Sequence, residues 1–282
     1  MEKIAVVVDS GSDVSAPIAK DLDIYSLPLR INIDGKEYTD NVDISAKEIF
    51  EVLDHSKVTT SLPTGEDIIA TFEDLKAKGY THVIAIAISS GLSGTYNVIR
   101  NLSDSVDGLE IFVLDTKNIS LGSGFLGLQA AELVKEGKSF SEIVDYLQNN
   151  LENSKVFFTV GTLDYLIRGG RIDLVAGTVA NVLNIKPVIS CNSEGVYHTV
   201  AKVRGYGRVI KRMIDAAAEF VQNHEKYKVY MLNANSNENL NEILNYAKSA
   251  FNRSEAVEMV DITPALGIHT GPEALGIAVM KV

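Results

Sequence analysis

Short apolar runs that end in small polar residues alternate with helical patterns along the first half of the chain. Residues 4–8, 82–88 and 111–114 are such runs, and Asp, Ser or Thr follows each of them. Continuous β-branched runs of this length are typical of buried strands in a parallel sheet. Helices are predicted at about 66–78 and 121–135. This alternation predicts an α/β fold with a parallel sheet that carries helices on both faces.

Local signals add detail to this half. An Asp-Gly pair at 34–35 lies between two alternating segments, which predicts a β-hairpin. A capping box at 45–48 opens a helix that continues through Leu53. Residues 59–64 are expected to form a loop, stiffened by a proline, that leads into the next helix.

The second half mixes hairpins with helices, so its sheet is expected to be mixed. We place the domain boundary near 152–156, which divides the chain into residues 1–154 and 155–282. The strands predicted in the second half are 156–160, 185–189, 196–203 and 228–232, and the helices are one starting at Leu174, one at about 207–223 and one at about 237–250.

Length and composition fit a folded globular protein of two domains. Of the 282 residues, 46% are hydrophobic and 22% are charged. A chain of this length is longer than a single hydrophobic core usually organises, so we expect two domains. Its net charge is −11. Nucleic acid is therefore excluded as the main partner, because phosphate binding needs a basic surface. The same charge disfavours broad attachment to anionic membranes.

Three features predict a cytoplasmic location. No run approaches the roughly 18 apolar residues of a membrane span, and the first residues lack the basic and apolar regions of a signal peptide. Cys191 is the single cysteine, which rules out an intramolecular disulfide and fits a reducing compartment. We expect no stable membrane insertion.

The segment after the strand at 82–88 concentrates hydroxyl groups. Ser89, Ser90, Ser93 and Thr95 lie there together with two glycines. Ligands of open α/β sheets bind at the carboxyl ends of the strands, and a helix N-terminus at that point adds free N–H groups and partial positive charge. The segment holds no acid, base or metal ligand. It predicts a cradle for an anionic or strongly polar head group, without chemistry of its own.

Two further polar segments have both a functional and a structural interpretation. Asp9 and Asp13, which flank Ser10 and Ser12, could position a ligand or a cation, but Asp and Ser are also ordinary strand-end and helix-capping residues. Thr60 and Ser61 offer two more hydroxyls in the predicted loop, which taken alone is only the start of a helix.

Arginine and histidine supply the remaining candidates. Arg168 and Arg171 bracket a Gly-Gly pair, which could present Arg171 to a carboxylate or phosphate or could simply end a helix. His269 lies in a Gly/Pro-rich segment that we predict to be a loop, where it could donate a hydrogen bond to an anion or carry a proton. The other histidines lack metal-ligand spacing, and the common nucleotide-binding and hydrolase motifs are absent from the sequence.

Taken together, these segments resemble the DegV family, the bacterial fatty-acid-binding proteins that partner a fatty acid kinase. Each matching piece is weak alone, but the ordered set covers nearly the whole chain. In chain order the pieces are 9–13 (DSGSD), 60–64 (TSLPT), 89–96 (SSGLSGTY), 114–116 (LDT) with 120–124 (SLGSG), 169–172 (GGRI), 186–189 (KPVI) and 267–272 (GIHTGP).

The resemblance implies two α/β domains with one long-chain fatty acid buried between them. Thr60 and Ser93 would bond its carboxylate. Ser61, Gly94 and Thr95 would lie near that carboxylate.

The resemblance also implies a separate catalytic partner. His269 would join the hydroxyl network, and Arg171 together with His269 would serve the interaction with the kinase or phosphoryl transfer. The protein would present its acyl carboxylate to that ATP-dependent kinase, which forms an acyl-phosphate. It would need no cofactor or metal, and it would catalyse nothing alone. Glu273 departs from the family, in which glycine is usual at this position.

Two hypotheses of other classes stay open at this point. The protein could be an enzyme that acts on a small anion, with His269 as acid–base and Arg171 as a clamp. It could also be a regulatory protein whose ligand tunes the binding of a partner.

Overall fold

The computed structural model describes residues 2–172, 175, 184–236, 238–254 and 256–282. The strands are β1 (Ile4–Asp9), β2 (Ile24–Leu27), β3 (Arg30–Ile33), β4 (Lys36–Thr39), β5 (Val58–Ser61), β6 (His82–Ala87), β7 (Glu110–Asp115), β8 (Ser154–Thr159), β9 (Ile185–Cys191), β10 (Tyr197–Arg204), β11 (Tyr227–Ala234), β12 (Val257–Asp261) and β13 (Ala274–Lys281). The helices are α1 (Ala16–Leu22), α2 (Ala46–Val52), α3 (Gly65–Ala77), α4 (Thr95–Leu102), α5 (Leu121–Lys135), α6 (Phe140–Asn149), α7 (Asp164–Arg168), α8 (Tyr206–Val221), α9 (Leu240–Ala250) and α10 (Pro264–Thr270).

The first sheet confirms the prediction of a parallel sheet covered on both faces. Its order is β2-β1-β6-β7, and all of its pairs are parallel. Successive residues of a strand face opposite sides. Val6 and Val8 therefore pack in the cluster that contains α5, whereas Val7 packs with Phe72 of α3.

The second sheet is mixed, as predicted. Its order is β10-β9-β8-β13-β11-β12, and within it only β11 and β12 run parallel. Phe157 and Ile277 face α8, whereas Val156 and Phe158 face the first half of the molecule. The protein thus has a two-domain α/β fold. The predicted helix at Leu174 lies outside the described residues.

Helix α5 packs against strands of both sheets, which explains its small residues. It contacts β1 of the first sheet and β8 of the second. A Cβ atom at Gly124 would overlap the Ser12 carbonyl oxygen, and one at Gly127 would lie 2.7 Å from a Val8 methyl carbon. These glycines therefore serve close packing.

A third, antiparallel sheet has the order β4-β3-β5. The predicted hairpin is confirmed, with Asp34 at φ 52° and Gly35 at φ 91° in its turn. The predicted loop at 59–64 is wrong in its first part, because Val58–Ser61 forms β5 and pairs with β3. Thr60 lies opposite Ile31 in that pairing, and a partner so distant in sequence leaves no local signal.

The predicted loop around His269 is also wrong, since His269 lies on helix α10. Pro264 occupies the first turn of this helix, where its missing N–H costs nothing. Gly271 ends the helix at φ 74°. Glycine and proline here mark the two ends of a short helix. None of the described helices is long and apolar enough to cross a membrane.

Candidate functional site

A cavity lies between the two halves of the molecule. Its wall is mostly apolar and comes from β5 and several loops of the first half and from β8, β10, β11, α10 and β13 of the second. The apolar lining residues are Leu29, Leu62, Ile88, Leu92, Ile119, Val156, Phe158, Leu232, Ile262, Ala265, Leu266, Ala274, Leu275 and Gly276.

Polar groups converge at one part of this wall. Thr60, Ser61, Ser93, Arg171 and His269 all line the cavity, although they come from four separate stretches of the sequence. Ser61 is exposed, so this polar part adjoins the protein surface. The arrangement suits a ligand with one polar end and a long apolar body.

Thr60 and His269 form one hydrogen-bonded pair. The Thr60 hydroxyl oxygen lies 2.8 Å from His269 Nε2. Burial, and secondarily the positive charge of Arg171, lower the pKa of His269 to about 4, so the ring is neutral at pH 7. Nδ1 is buried without a partner among the described residues. We therefore place the ring proton on Nε2, where it donates to Thr60 Oγ1 and leaves the threonine proton free for a ligand.

Ser93 and Thr95 form a second pair. Ser93 Oγ lies 2.8 Å from Thr95 Oγ1 and accepts from the Thr95 backbone N–H at 3.3 Å. Thr95 is fully buried at the start of α4. When Thr95 donates both protons to Ser93, the hydroxyl proton of Ser93 points to the cavity.

Arg171 lies beside these hydroxyls and is held by backbone carbonyls. Its guanidinium donates to the carbonyl of Gly169 at 2.6 Å and to that of Leu92 at 3.4 Å. These two bonds leave some of its five N–H donors for a ligand or a partner. The contact with Leu92 ties the arginine to the hydroxyl-rich segment of the first half.

The predicted site residues fall into two groups. Thr60, Ser61, Ser93, Arg171 and His269 line the cavity, whereas Gly94 and Thr95 do not. Thr95 contacts the site only through its hydrogen bonds to Ser93. Gly94 is exposed and faces Leu62, whose Cδ1 would lie 3.2 Å from a Cβ at this position.

The predicted cradle of four hydroxyls is only partly formed. Ser89 donates to the carbonyl of Gly195 at 2.7 Å, and Ser90 donates to the carboxylate of Asp115. Neither serine lines the cavity. Ser89 joins the two halves of the molecule, and Ser90 belongs to a small cluster with Asp115 and Lys117.

Three buried carboxyl groups lie behind the cavity wall. Asp9, Asp13 and Asp40 are almost fully buried, and burial raises their pKa values to about 7, 7 and 6. The sequence marked Asp9 and Asp13 as candidates, but Asp40, which follows strand β4, gave no signal. The described residues contain no cluster that could hold a metal ion, so a cation site at Asp9 and Asp13 finds no support in this part of the chain.

Ser120 and Tyr197 line the cavity but were not among the predicted site residues. Ser120 precedes α5 with φ 55° and ψ −151°, a conformation that is rare for any residue except glycine, and donates to Asp13. Tyr197 packs edge-on against Phe158. No sequence motif predicts a strained backbone conformation or a packing contact between residues of two different strands.

Comparisons with known proteins agree with this architecture. Residues 3–282 match the family described as "Uncharacterised protein, DegV family". A DegV domain-containing protein of Clostridium acetobutylicum is 39% identical over 282 residues, with all of both chains covered. A fatty-acid-binding DegV family protein of Thermus thermophilus superimposes with a TM-score of 0.90 at 28% identity and covers 99% of this chain and 100% of its own. A stearic acid-binding protein of Eubacterium ventriosum superimposes with a TM-score of 0.86 at 27% identity, covering 100% of this chain and 98% of its own. The chain therefore belongs to the DegV family.

Proposed function

We propose that this protein binds one long-chain fatty acid in the cavity between its two domains, residues 1–154 and 155–282. The observation that carries the proposal is the apolar cavity with Thr60, Ser93, Arg171 and His269 gathered at one part of its wall. The solved relatives that are named for fatty acid or stearic acid binding support it.

The apolar tail supplies most of the affinity. Burying about 14 methylenes at roughly 0.8 kcal/mol each offers about 11 kcal/mol before the costs of association. The polar residues orient the ligand, because a buried carboxylate needs hydrogen bonds to avoid a large desolvation cost. Thr60 and Ser93 each have a hydroxyl proton to donate to it, with Ser61, Gly94 and Thr95 nearby.

Mass spectrometry of the lipids released from the purified recombinant protein tests this proposal. We expect close to one fatty acid per chain, and its length would identify the preferred substrate. A protein that is purified empty and also ignores added palmitate and oleate would overturn the proposal in favour of a small-anion enzyme.

We further propose that the bound carboxylate is presented to a separate ATP-dependent kinase. The absence of nucleotide-binding motifs from the sequence supports this division of labour. The protonation states of two candidate catalytic groups in the described part of the chain support it as well. His269 with a pKa of about 4 is a weak base at pH 7, and burial raises the pKa of the Cys191 thiol to about 12. We therefore expect the isolated protein to catalyse no reaction. We also expect it to be cytoplasmic and to need no cofactor.

The Arg171→Ala variant tests the kinase step. Arg171 and His269 lie beside the carboxylate site, and an arginine can stabilise a phosphoryl group in transfer. The variant should retain fatty acid but lose acyl-phosphate formation when it is mixed with kinase and ATP. Arg168→Ala is the control, since Arg168 is exposed and contacts Asp54 instead. Equal acyl-phosphate formation by the Arg171 variant and the wild type would remove this assignment.

A further inference from the structure

Helix α10 forms part of the cavity wall and is fixed at both ends by the first half of the chain. Ala265, Leu266, His269 and Thr270 of this helix line the cavity. His269, near its C-terminal end, bonds Thr60 of β5. Two carboxyl groups hold its N-terminal end.

The two carboxyl groups accept hydrogen bonds from the backbone at the start of the helix. Asp13 Oδ1 accepts from the Thr263 N–H at 2.8 Å, and Asp40 Oδ1 accepts from the Ala265 N–H at 2.8 Å. The first N–H groups of any helix lack partners within the helix. The Thr263 side chain makes no capping bond here, so these distant carboxyl groups act as the cap.

The second oxygen of each carboxyl group connects the helix to other parts of the first half. Asp13 Oδ2 accepts from the hydroxyl of Ser120, which itself lines the cavity in a strained conformation. Asp40 Oδ2 accepts from the Ser10 hydroxyl at 2.6 Å. Each carboxyl group thus joins one group of α10 to one group of the first half.

These bonds anchor the start of the helix that carries His269. Helix α10 spans seven residues, so a shift at its start moves its whole length, including His269. The partners of Asp13 and Asp40 are N–H and hydroxyl donors, and the nearby Asp40 carboxyl group adds to the burial that raises the pKa of Asp13.

We propose that Asp13 and Asp40 are positioning residues of the head-group site. They hold the start of α10 against the first half and thereby place His269 so that the Thr60 hydroxyl meets the ligand carboxylate. This inference rests on the proposed binding of a fatty acid.

The test compares Asp13→Asn and Asp40→Asn with Asp9→Asn. Asparagine keeps the shape of the side chain but has one acceptor oxygen for the two donors that each of Asp13 and Asp40 serves. Asp9 is the matched control because it is equally buried, yet one of its oxygens has no hydrogen-bond partner among the described residues and the other accepts from Ile88 rather than from α10. Its asparagine variant can keep the Ile88 bond.

Affinity is measured for palmitate and for 1-hexadecanol, which share a tail but differ in head group. We expect Asp13→Asn and Asp40→Asn to weaken palmitate binding about tenfold or more, the usual loss for a hydrogen bond to a charged group. Binding of the alcohol should change less than threefold in the same variants. Asp9→Asn should change neither affinity.

The ¹⁵N shifts of His269 give a readout that loss of stability alone would not move. We expect the shifts of the Nε2-protonated ring in the wild type and in Asp9→Asn. In Asp13→Asn and Asp40→Asn we expect different shifts or those of a mixture of tautomers. Thr263→Pro provides an independent route if an asparagine variant does not fold. Thr263 has φ −68° and ψ 155°, which proline adopts, so this change removes the N–H that Asp13 accepts.

The outcomes separate the two proposals. If the wild type binds neither palmitate nor oleate, the proposed function fails. If the wild type binds palmitate but the variants at 13, 40 and 263 bind it equally well, only the positioning role is overturned. Equal losses for the acid and the alcohol would also overturn it, because they would indicate a general effect on the cavity.

Discussion

Ser93 directs its proton toward the cavity when the Thr95 hydroxyl is the donor of the bond that joins the two side chains. The Thr95 hydroxyl lies 2.8 Å away and the Thr95 N–H donates at 3.3 Å. A serine hydroxyl has one proton and two lone pairs. In that arrangement both lone pairs are engaged, and Ser93 is oriented as a donor before any ligand arrives.

We predict that Ser93→Ala weakens binding of a long-chain fatty acid about tenfold to a hundredfold. The reason is the loss of a hydrogen bond to a charged group, worth about 1.5–3 kcal/mol. Isothermal titration with palmitate measures the change. Ser90→Ala is the control from the same segment, because Ser90 bonds Asp115 and does not line the cavity. Equal effects of the two changes would assign Ser93 a structural role.

Gly169 is needed because His269 packs directly on it. A Cβ atom at Gly169 would overlap His269 Nδ1, whereas the backbone φ of −79° suits any residue. We predict that Gly169→Ala displaces the imidazole and weakens fatty acid binding by at least about tenfold through loss of the bond to Thr60. Gly207→Ala, at a position with no neighbour within 4 Å, should bind as the wild type does. Unchanged binding by the Gly169 variant would show that the ring can move without consequence.

At the scale of elements, the sequence predicted those parts of the fold that depend on local pattern. The parallel strands, the hairpin at 34–35 and helix α5 follow from apolar periodicity and turn chemistry. Strand β5 and helix α10 did not follow, because β5 is defined by its pairing with β3 and α10 by caps at Asp13 and Asp40. The cavity depends on both of these elements, so local pattern marked its polar residues only as separate candidates, and the family resemblance alone predicted that they belong to one site.

The end of α10 provides a prediction at this scale. Gly271 has φ 74°, and a Cβ there would overlap the ring of Tyr165, whose hydroxyl is held by Asp54 at 3.0 Å. We predict that Gly271→Ala lowers the free energy of unfolding by roughly 2–4 kcal/mol, the sum of backbone strain and overpacking.

Urea unfolding of Gly271→Ala and Gly137→Ala measures this difference. Gly137 has φ 79° but no neighbour within 4 Å, so its variant carries only the backbone cost of about 1–2 kcal/mol. Equal losses in the two variants would contradict the packing contact with Tyr165.

At the scale of the whole molecule, buried groups of opposite type make stability depend on pH in opposite directions. The pKa of His269 is lowered to about 4, so its neutral ring contributes stability above pH 6.5 that is lost as the pH falls toward 4. The pKa of Asp9 is raised to about 7, so its protonated form contributes stability below pH 4 that is lost as the pH rises through 7.

We predict that His269→Gln and Asp9→Asn change the pH dependence of unfolding with opposite signs. Between pH 4 and 7, the stability of the wild type relative to His269→Gln should rise by up to about 3 kcal/mol. Its stability relative to Asp9→Asn should fall over the same range. Urea unfolding at several pH values measures both differences, and parallel curves for all three proteins would contradict the assigned protonation states.

The caps of α10 also determine when the binding cavity can form during synthesis. Thr263 and Ala265 bond carboxyl groups that lie 250 and 225 residues earlier in the chain. These contacts cannot form before Thr263 and Ala265 have left the ribosome, and closing so long a loop costs conformational entropy. A nascent chain that has not yet released its last residues from the ribosome therefore has no complete cavity. On the proposed function, a fatty acid would therefore enter only the finished protein, and a chain truncated before α10 would not bind it.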